Sequence, residues 1–383
     1  VGRNIRWLLI TGLLLLGIFP LTALLAQDEG GLIPELKLFS KALSAICEAY
    51  PGDVAARNLF YEAVKGMMSS LDDFSEFIDP ERYKLLEIHM RGEYAGIGAI
   101  LQIVQERVMV RAVEPGKPAE QAGLRAGDVI LKVDGISVEK KSVAEVSALL
   151  RGTENTPVVL TVLRDPALEP FDLTVQRQKI QIPAIQDARM IGKHLAYFRL
   201  TAWQDHTIEQ VDQTLKDFKE NGMKALIIDL RNNDGGLLPQ AVALAERFLT
   251  QGKKIVSVQS KIQEQKKEYF VAGDGEYAEI ELVVLVNEKS ASASEVFSAA
   301  MQDHRRAVIV GVKTFGKGSV QSVIPLDDVS GMKLTTARYL TPSGRMIDKI
   351  GLTPDRVVVN GPEGVPGMDH QTLEAIAVLK NYM

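Results

Sequence analysis

Disulfide chemistry is closed to this chain. Its 383 residues include one cysteine, Cys47, in the apolar stretch AICEAY, where packing is the expected role. Histidine is scarce as well. His89, His194, His206, His304 and His370 are scattered, and no two stand at metal-ligand spacing such as i, i+4. A zinc site is therefore not expected, and no cofactor is called for. There is no long basic run, and the net charge is −5, which argues against nucleic acid as a partner. Apolar residues make up 46% and charged residues 24%. That is ordinary globular composition in a chain long enough for more than one domain.

One long uncharged run is present. Arg3 and Arg6 precede WLLITGLLLLGIFPLTALLA, residues 7–26. Its length lies between a signal h-region and a membrane span. Leu-Leu-Ala before Gln27 is a poor cleavage site, so an uncleaved anchor is favoured over a cleaved signal. Either way the positive charges lead, and the rest of the chain is expected outside the cytoplasm, in the periplasm or cell envelope.

Beyond the Gly-rich linker DEGGLIP, residues 35–87 carry helical periodicity, broken at Pro51-Gly52. From Tyr94 the texture changes. The short β-rich runs GAILQIV, RVMVRAV, DVILKVD and PVVLTVL alternate with turns and with two helical pieces, PAEQAG and VAEVSALLRG. Residues 168–350 then alternate strand and helix: LAYFRL, TIEQVDQTLKDFKENG, ALIIDL, LPQAVALAERFL, ELVVLVN, SEVFSAAMQD, AVIVG. That is the pattern of an α/β unit with crossover connections. A final helix is expected from Asp369. The segments are 1–26 (signal or anchor), 27–87 (helical), 88–167 (small α+β module), 168–360 (α/β core) and 361–383 (helical).

The stretch SASASE, residues 290–295, follows a buried strand and opens an amphipathic helix. Ser292 and Glu295 fit a capping box. The same position suits a nucleophile, because unpaired N–H groups at a helix mouth can hold a developing oxyanion. Ala291 and Ala293 leave room for a substrate backbone. A second strand-end loop, LRNNDGGLL, converges on the same sheet edge, where Gly235 or Gly236 can add an N–H. A base is needed. His304 lies about 18 Å further along the helix and reads as a surface residue at its C-terminus. Lys317, between two glycines after AVIVG, can turn back toward the helix start; desolvated, its neutral amine can accept the serine proton. Gln321, four residues on, would face the same side of an extended strand and hold that amine. Gly311, Gly316 and Lys317 have Walker A spacing, but Gly318 stands where Ser or Thr should bind magnesium, and no helix follows.

Two resemblances follow from these motifs. The order Gly96-Ile97-Gly98, Val113-Glu114-Pro115-Gly116, Ala122-Gly123-Leu124, Gly127-Asp128-Val129-Ile130 and Val133-Asp134-Gly135 resembles a PDZ domain. Amides at residues 96–98 would then hold a terminal carboxylate beside a free strand edge. Residues 287–295 together with AVIVGVKTFGKGSVQ resemble the signature of the carboxy-terminal processing proteases, Ser/Lys-dyad serine peptidases. GMMSSLDDFSEFIDPE, DLRNNDGG, RYLTPSGRMI and GLTPD resemble further family segments. The resemblance implies a crotonase/ClpP-like ββα core with an inserted PDZ domain and helical ends. It implies Ser292 as nucleophile, Lys317 as base and Gln321 as the lysine-orienting residue. Ala293 and one of Gly235 or Gly236 would supply oxyanion amides. Its substrates would be proteins with free, apolar C-terminal tails, and activity should rise with pH as Lys317 deprotonates. The helical ends resemble segments that pair some relatives into dimers. One departure stands out: the family's loop usually reads Asn-Pro-Gly-Gly, and here Asp234 replaces the proline. The alternative function is a non-catalytic PDZ-containing protein that holds apolar ligands or peptide tails.

Overall fold

The structure is a computed structural model that describes residues 31–165, 169–327, 329–361 and 369–382. The apolar run 7–26 lies outside them. Among the described residues no helix is long and apolar enough to cross a membrane.

The described chain forms two compact units. The first comprises the N-terminal residues to Lys84 together with Val320–Ala337. Its helices Leu32–Ala49 and Ala56–Ser69 follow the predicted periodicity. A three-residue strand, Glu76–Ile78, interrupts the stretch read as wholly helical; it pairs antiparallel with Gly331–Leu340, Phe77 opposite Met332. The strand is too short for its alternation to register in sequence. Val64, Met68 and Phe77 form a small apolar cluster. Asp72 accepts bonds from Phe74 N, Ser75 N, Ser75 Oγ and Thr335 Oγ1, which pins the turn before the strand. Helix Leu32–Ala49 buries none of its residues. Cys47 lies on it and is exposed, so the packing role expected of it is not found.

The second unit, Leu85–Ser319 and Arg338–Met383, is built on two main sheets with shorter strand pairings beside them. The small antiparallel sheet orders its strands Ala99–Val104, Arg107–Val113, Val129–Val133, Pro157–Leu163 and Phe171–Gln176; the last lies beyond residue 167. Alternate residues of Pro157–Leu163 are buried, and Val158, Leu160 and Val162 join Ile97, Val110 and Val146 in one core. Helix Val143–Leu150 starts on a complete capping box, Ser142 with Glu145. Strands Glu93–Gly96 and Gln178–Gln181 pair antiparallel, bringing the chain's entry to and exit from this module together.

The larger sheet runs Ile185–Ile191, Leu195–Leu200, Ala225–Asp229, Glu281–Val286, Val308–Gly311, Arg356–Val357. All neighbours from Leu195–Leu200 onward are parallel. Every residue of Ala225–Asp229 is buried, as a strand covered on both faces requires. One face carries Leu195, Ile227, Leu285 and Val310 against Ala375 and Leu379 of the last helical segment. The C-terminal helix His370–Val378 therefore packs on its own core. Helices Leu238–Phe248 and Ala293–Asp303 meet through Phe248 and Phe297, with Trp203 on Phe297.

Candidate active site

The strands Ala225–Asp229 and Glu281–Val286 end side by side, and their following loops interlock. Asn232 N donates to Asn287 Oδ1, and Asn287 Nδ2 returns a bond to Asn232 Oδ1, each 2.9 Å. The three serines of SASASE divide their work. Ser290 Oγ donates to Leu230 O at 2.8 Å and accepts from Asn287 N at 2.9 Å. Ser294 Oγ accepts from Trp203 Nε1 at 2.9 Å and donates to Asn233 O at 3.1 Å. Ala291 N also donates to Asn233 O. The outer serines thus stitch two strand-end loops and Trp203 into one block.

Ser292 is different. Its backbone sits at φ 54°, ψ −116°, a region that a side chain makes costly, by about 1–3 kcal/mol. The surrounding hydrogen bonds must hold it there. It is 8% exposed, and its hydroxyl meets that of Tyr339, a phenol pushed above its ordinary range by burial. In the expected capping box, Ser292 N donates to Glu295 Oε2 at 2.9 Å.

Glu295 does more than cap. Only 1% exposed, it also accepts from Thr314 Oγ1, from Gly316 N at 2.8 Å and from Lys317 N at 2.8 Å. Burial pushes its carboxyl up; the four donors oppose that and do not overcome it. One oxygen, Oε2, bonds both Ser292 N and Lys317 N, so those two nitrogens lie no more than about 6 Å apart. Phe315 N donates to Ser290 O, fastening the same loop again. The sequence shows Glu295 only as a cap, because the residues that share it lie about twenty positions on.

Gly235 and Gly236 need their lack of a side chain. At φ 106° and 147°, added methyl groups would stand 2.7 Å from Ser292 Cβ and 2.3 Å from Trp203 O. Gly235 N–H donates to Asn233 Oδ1 at 3.0 Å and is committed there. The amides of Gly236 and Ala293 have no hydrogen-bond acceptor among the described residues. The structure therefore brings Ser292, Ala293, the glycine pair and the Lys317 backbone to one sheet edge. Lys317 is half-buried. It precedes the strand Ser319–Pro325 instead of lying in it, so strand alternation does not relate it to Gln321. Gln321 lies on that strand, half-buried, in the stretch assigned to the first unit. His304 caps the far end of helix Ala293–Asp303, with Nε2 2.7 Å from Lys254 O.

The Gly96-Ile97-Gly98 loop sits in the small module. Ile97 turns its side chain into the core, while its carbonyl accepts from Ala119 N and that of Gly98 from Glu114 N. The amides of Ile97 and Gly98 have no acceptor among the described residues. Gly152 N bonds Ala95 O, which sets Arg151 beside the loop, its guanidinium 5.1 Å over the Tyr94 ring. Arg151 Nε is buried with no partner among the described residues. Sequence reasoning missed this arginine, which carries no motif.

A serine held in a strained turn at a helix mouth, with free amides around it on an α/β sheet, is the equipment of a serine peptidase. The family model for peptidase family S41 matches residues 194–358, and that for a PDZ domain matches residues 109–164. A carboxy-terminal-processing protease of Bartonella bacilliformis is 35% identical over 350 residues, covering 90% of this chain and 80% of that protein. A carboxyl-terminal-processing protease of Synechocystis sp. is 36% identical over 304 residues, covering 78% of this chain and 70% of its own. A crystal structure described as an S41 protease, from Bacteroides fragilis, shares the fold at TM-score 0.51 and 16% identity, covering 89% of this chain and 97% of that one. The chain belongs to peptidase family S41, among the carboxy-terminal processing proteases, and is a serine protease with a PDZ domain.

Proposed function

We propose that this endopeptidase captures the free C-terminus of a protein in its PDZ domain and cleaves near that end with Ser292 and Lys317. Ser292 Oγ attacks the scissile carbonyl while the neutral Lys317 amine takes its proton. The amides of Ala293 and Gly236 hold the oxyanion. Lys317 returns the proton to the leaving amine, an ester remains on Ser292, and a water deprotonated by Lys317 resolves it. Gln321 orients the lysine amine. The observation that carries this reading is the shared carboxylate: Glu295 Oε2 fixes the backbones of Ser292 and Lys317 at once.

The tail's carboxylate is received by the amides of Ile97 and Gly98, within the loop that Gly96 opens, with Arg151 as the cationic partner; its Nε, without a partner among the described residues, supports this. The tail is extended and apolar, adding a strand to the module's edge. The protein works outside the cytoplasm, held by or released from residues 7–26; the charge order ahead of that run supports this. Chains pair through helix Leu32–Ala49, which exposes Leu36, Leu38 and Phe39. The test is cleavage of a substrate with a free tail, compared with the same substrate carrying an amidated C-terminus. Wild type cuts the first faster. Ser292→Ala cuts neither, and cleavage by that variant overturns the assignment.

A further inference from the structure

The loop at residues 232–236 is fastened to neighbouring segments by hydrogen bonds, and one of its side chains takes no part in them. Asn232 is tied to Asn287 on both its backbone and side chain. Asn233 Nδ2 donates to Leu200 O at 2.8 Å, and its Oδ1 receives Gly235 N. Leu237 N is bonded to Trp203 O. Between these fixed points stands Asp234, exposed, its carboxylate with no hydrogen bond or ion pair among the described residues. Its chain neighbour Gly235 abuts Ser292, a methyl group there standing 2.7 Å from Ser292 Cβ. One Cα step away, Asp234 Cα therefore lies within roughly 8 Å of Ser292 Cβ. The nearest structural duties are discharged by other residues, and among the described residues nothing employs this charge.

We propose that Asp234 is a specificity residue, which favours substrates with a lysine or arginine beside the scissile bond and disfavours those with an acidic residue there. A substrate strand lying over Ser292 must pass this rim. A cation at that point gains from the fixed carboxylate, and an anion is repelled. Because the loop is hydrogen-bonded on both sides of Asp234, the charge acts on the transition state and not only on encounter. Screening by solvent limits the effect, and a preference of about three- to tenfold in kcat/KM is expected at low salt.

The inference rests on Ser292 as the nucleophile, and the experiment separates the two. Two tailed peptides, identical except for Lys or Glu in the residues flanking the cleaved bond, are compared at low ionic strength and at about 0.5 M salt. Wild type, Asp234→Asn, Asp234→Glu and Asp234→Pro are measured. The inference expects the Lys peptide to be cut faster by wild type and by Asp234→Glu. The ratio should approach unity in Asp234→Asn, in Asp234→Pro and in wild type at high salt. Equal rates for wild type at low salt, or a ratio unchanged in Asp234→Asn, overturn it. If the neutral variants do not fold, the salt dependence of wild type alone decides. A wild type that cuts neither peptide instead defeats the peptidase assignment to Ser292.

Discussion

Two glycine loops in the second unit carry amides with no acceptor among the described residues, and they are held by different means. At residues 235–236 the backbone is caught by side chains: Asn233, Ser290, Ser294 and Trp203 each bond across to another segment. At residues 96–98 the loop rests on two backbone bonds and on the burial of Ile97. The first arrangement suits a site where sub-ångström placement sets the rate. The second suits a site that must accept tails of varied sequence, where some give is an advantage. Arg231 extends the brace around Ser292 outward. It bonds Asp229 and reaches Asp369 and Thr372 at the start of the C-terminal helix.

Substitutions should separate the loops by which kinetic constant they change. The largest effect belongs to the tie between Ser292 and Lys317. Glu295→Gln can no longer accept at both oxygens, so two of its four donors lose their partner. Turnover should drop by about a hundredfold or more while KM for tailed peptides stays unchanged, read by steady-state cleavage. Gly236→Ala would drive a methyl group into Trp203 O, displacing the amide proposed to hold the oxyanion; about a hundredfold loss in kcat is expected. Arg151→Ala should act on the other constant. KM for a free-tailed substrate rises about tenfold, while an amidated substrate is cut at the wild-type rate. A lower kcat for both substrates would erase the distinction between the loops.

The smallest effect is on stability. Burial works against ionisation of Asp369, but hydrogen bonds from Arg231 and Thr372 prevail and hold its carboxyl well below the usual range. A depressed carboxyl stabilises the fold above its unfolded-state pKa, and that stabilisation fades as pH falls through the folded one. The side chain is half exposed, so the contribution is about 1 kcal/mol after screening. Asp369→Asn should therefore be less stable than wild type in urea at pH 7, and the gap should narrow toward pH 3. A gap that persists unchanged in acid would show that it does not come from the ionised carboxylate of Asp369.

Much of the fold was legible because its strands are buried on both faces. ALIIDL and ELVVLVN are apolar nearly throughout, and the intervening helices keep a clear period. The hairpin Lys254–Ser260 with Lys267–Phe270 was not, since about half of its residues are charged or polar. Ser292 was legible from its motif and its place after a strand. Glu295 was legible only as a cap, and the commitment of Gly235 N–H to Asn233 was not legible at all. Both depend on where a side chain points after distant loops have met. Tyr339 and Arg151 escaped for the same reason: the contacts that single them out join residues 47 and 57 positions apart in sequence, Ser292 with Tyr339 and Tyr94 with Arg151.

The central claim is that Lys317 takes the proton from Ser292. Its most direct test is the rate of tailed-substrate cleavage between pH 6 and 9 for wild type and Lys317→Ala, with folding of the variant checked by its melting curve. A wild-type rate that climbs with pH is expected, with a folded variant slower by about a thousandfold or more at every pH. A flat wild-type profile, or a Lys317→Ala enzyme that still cleaves at a comparable rate, would contradict it.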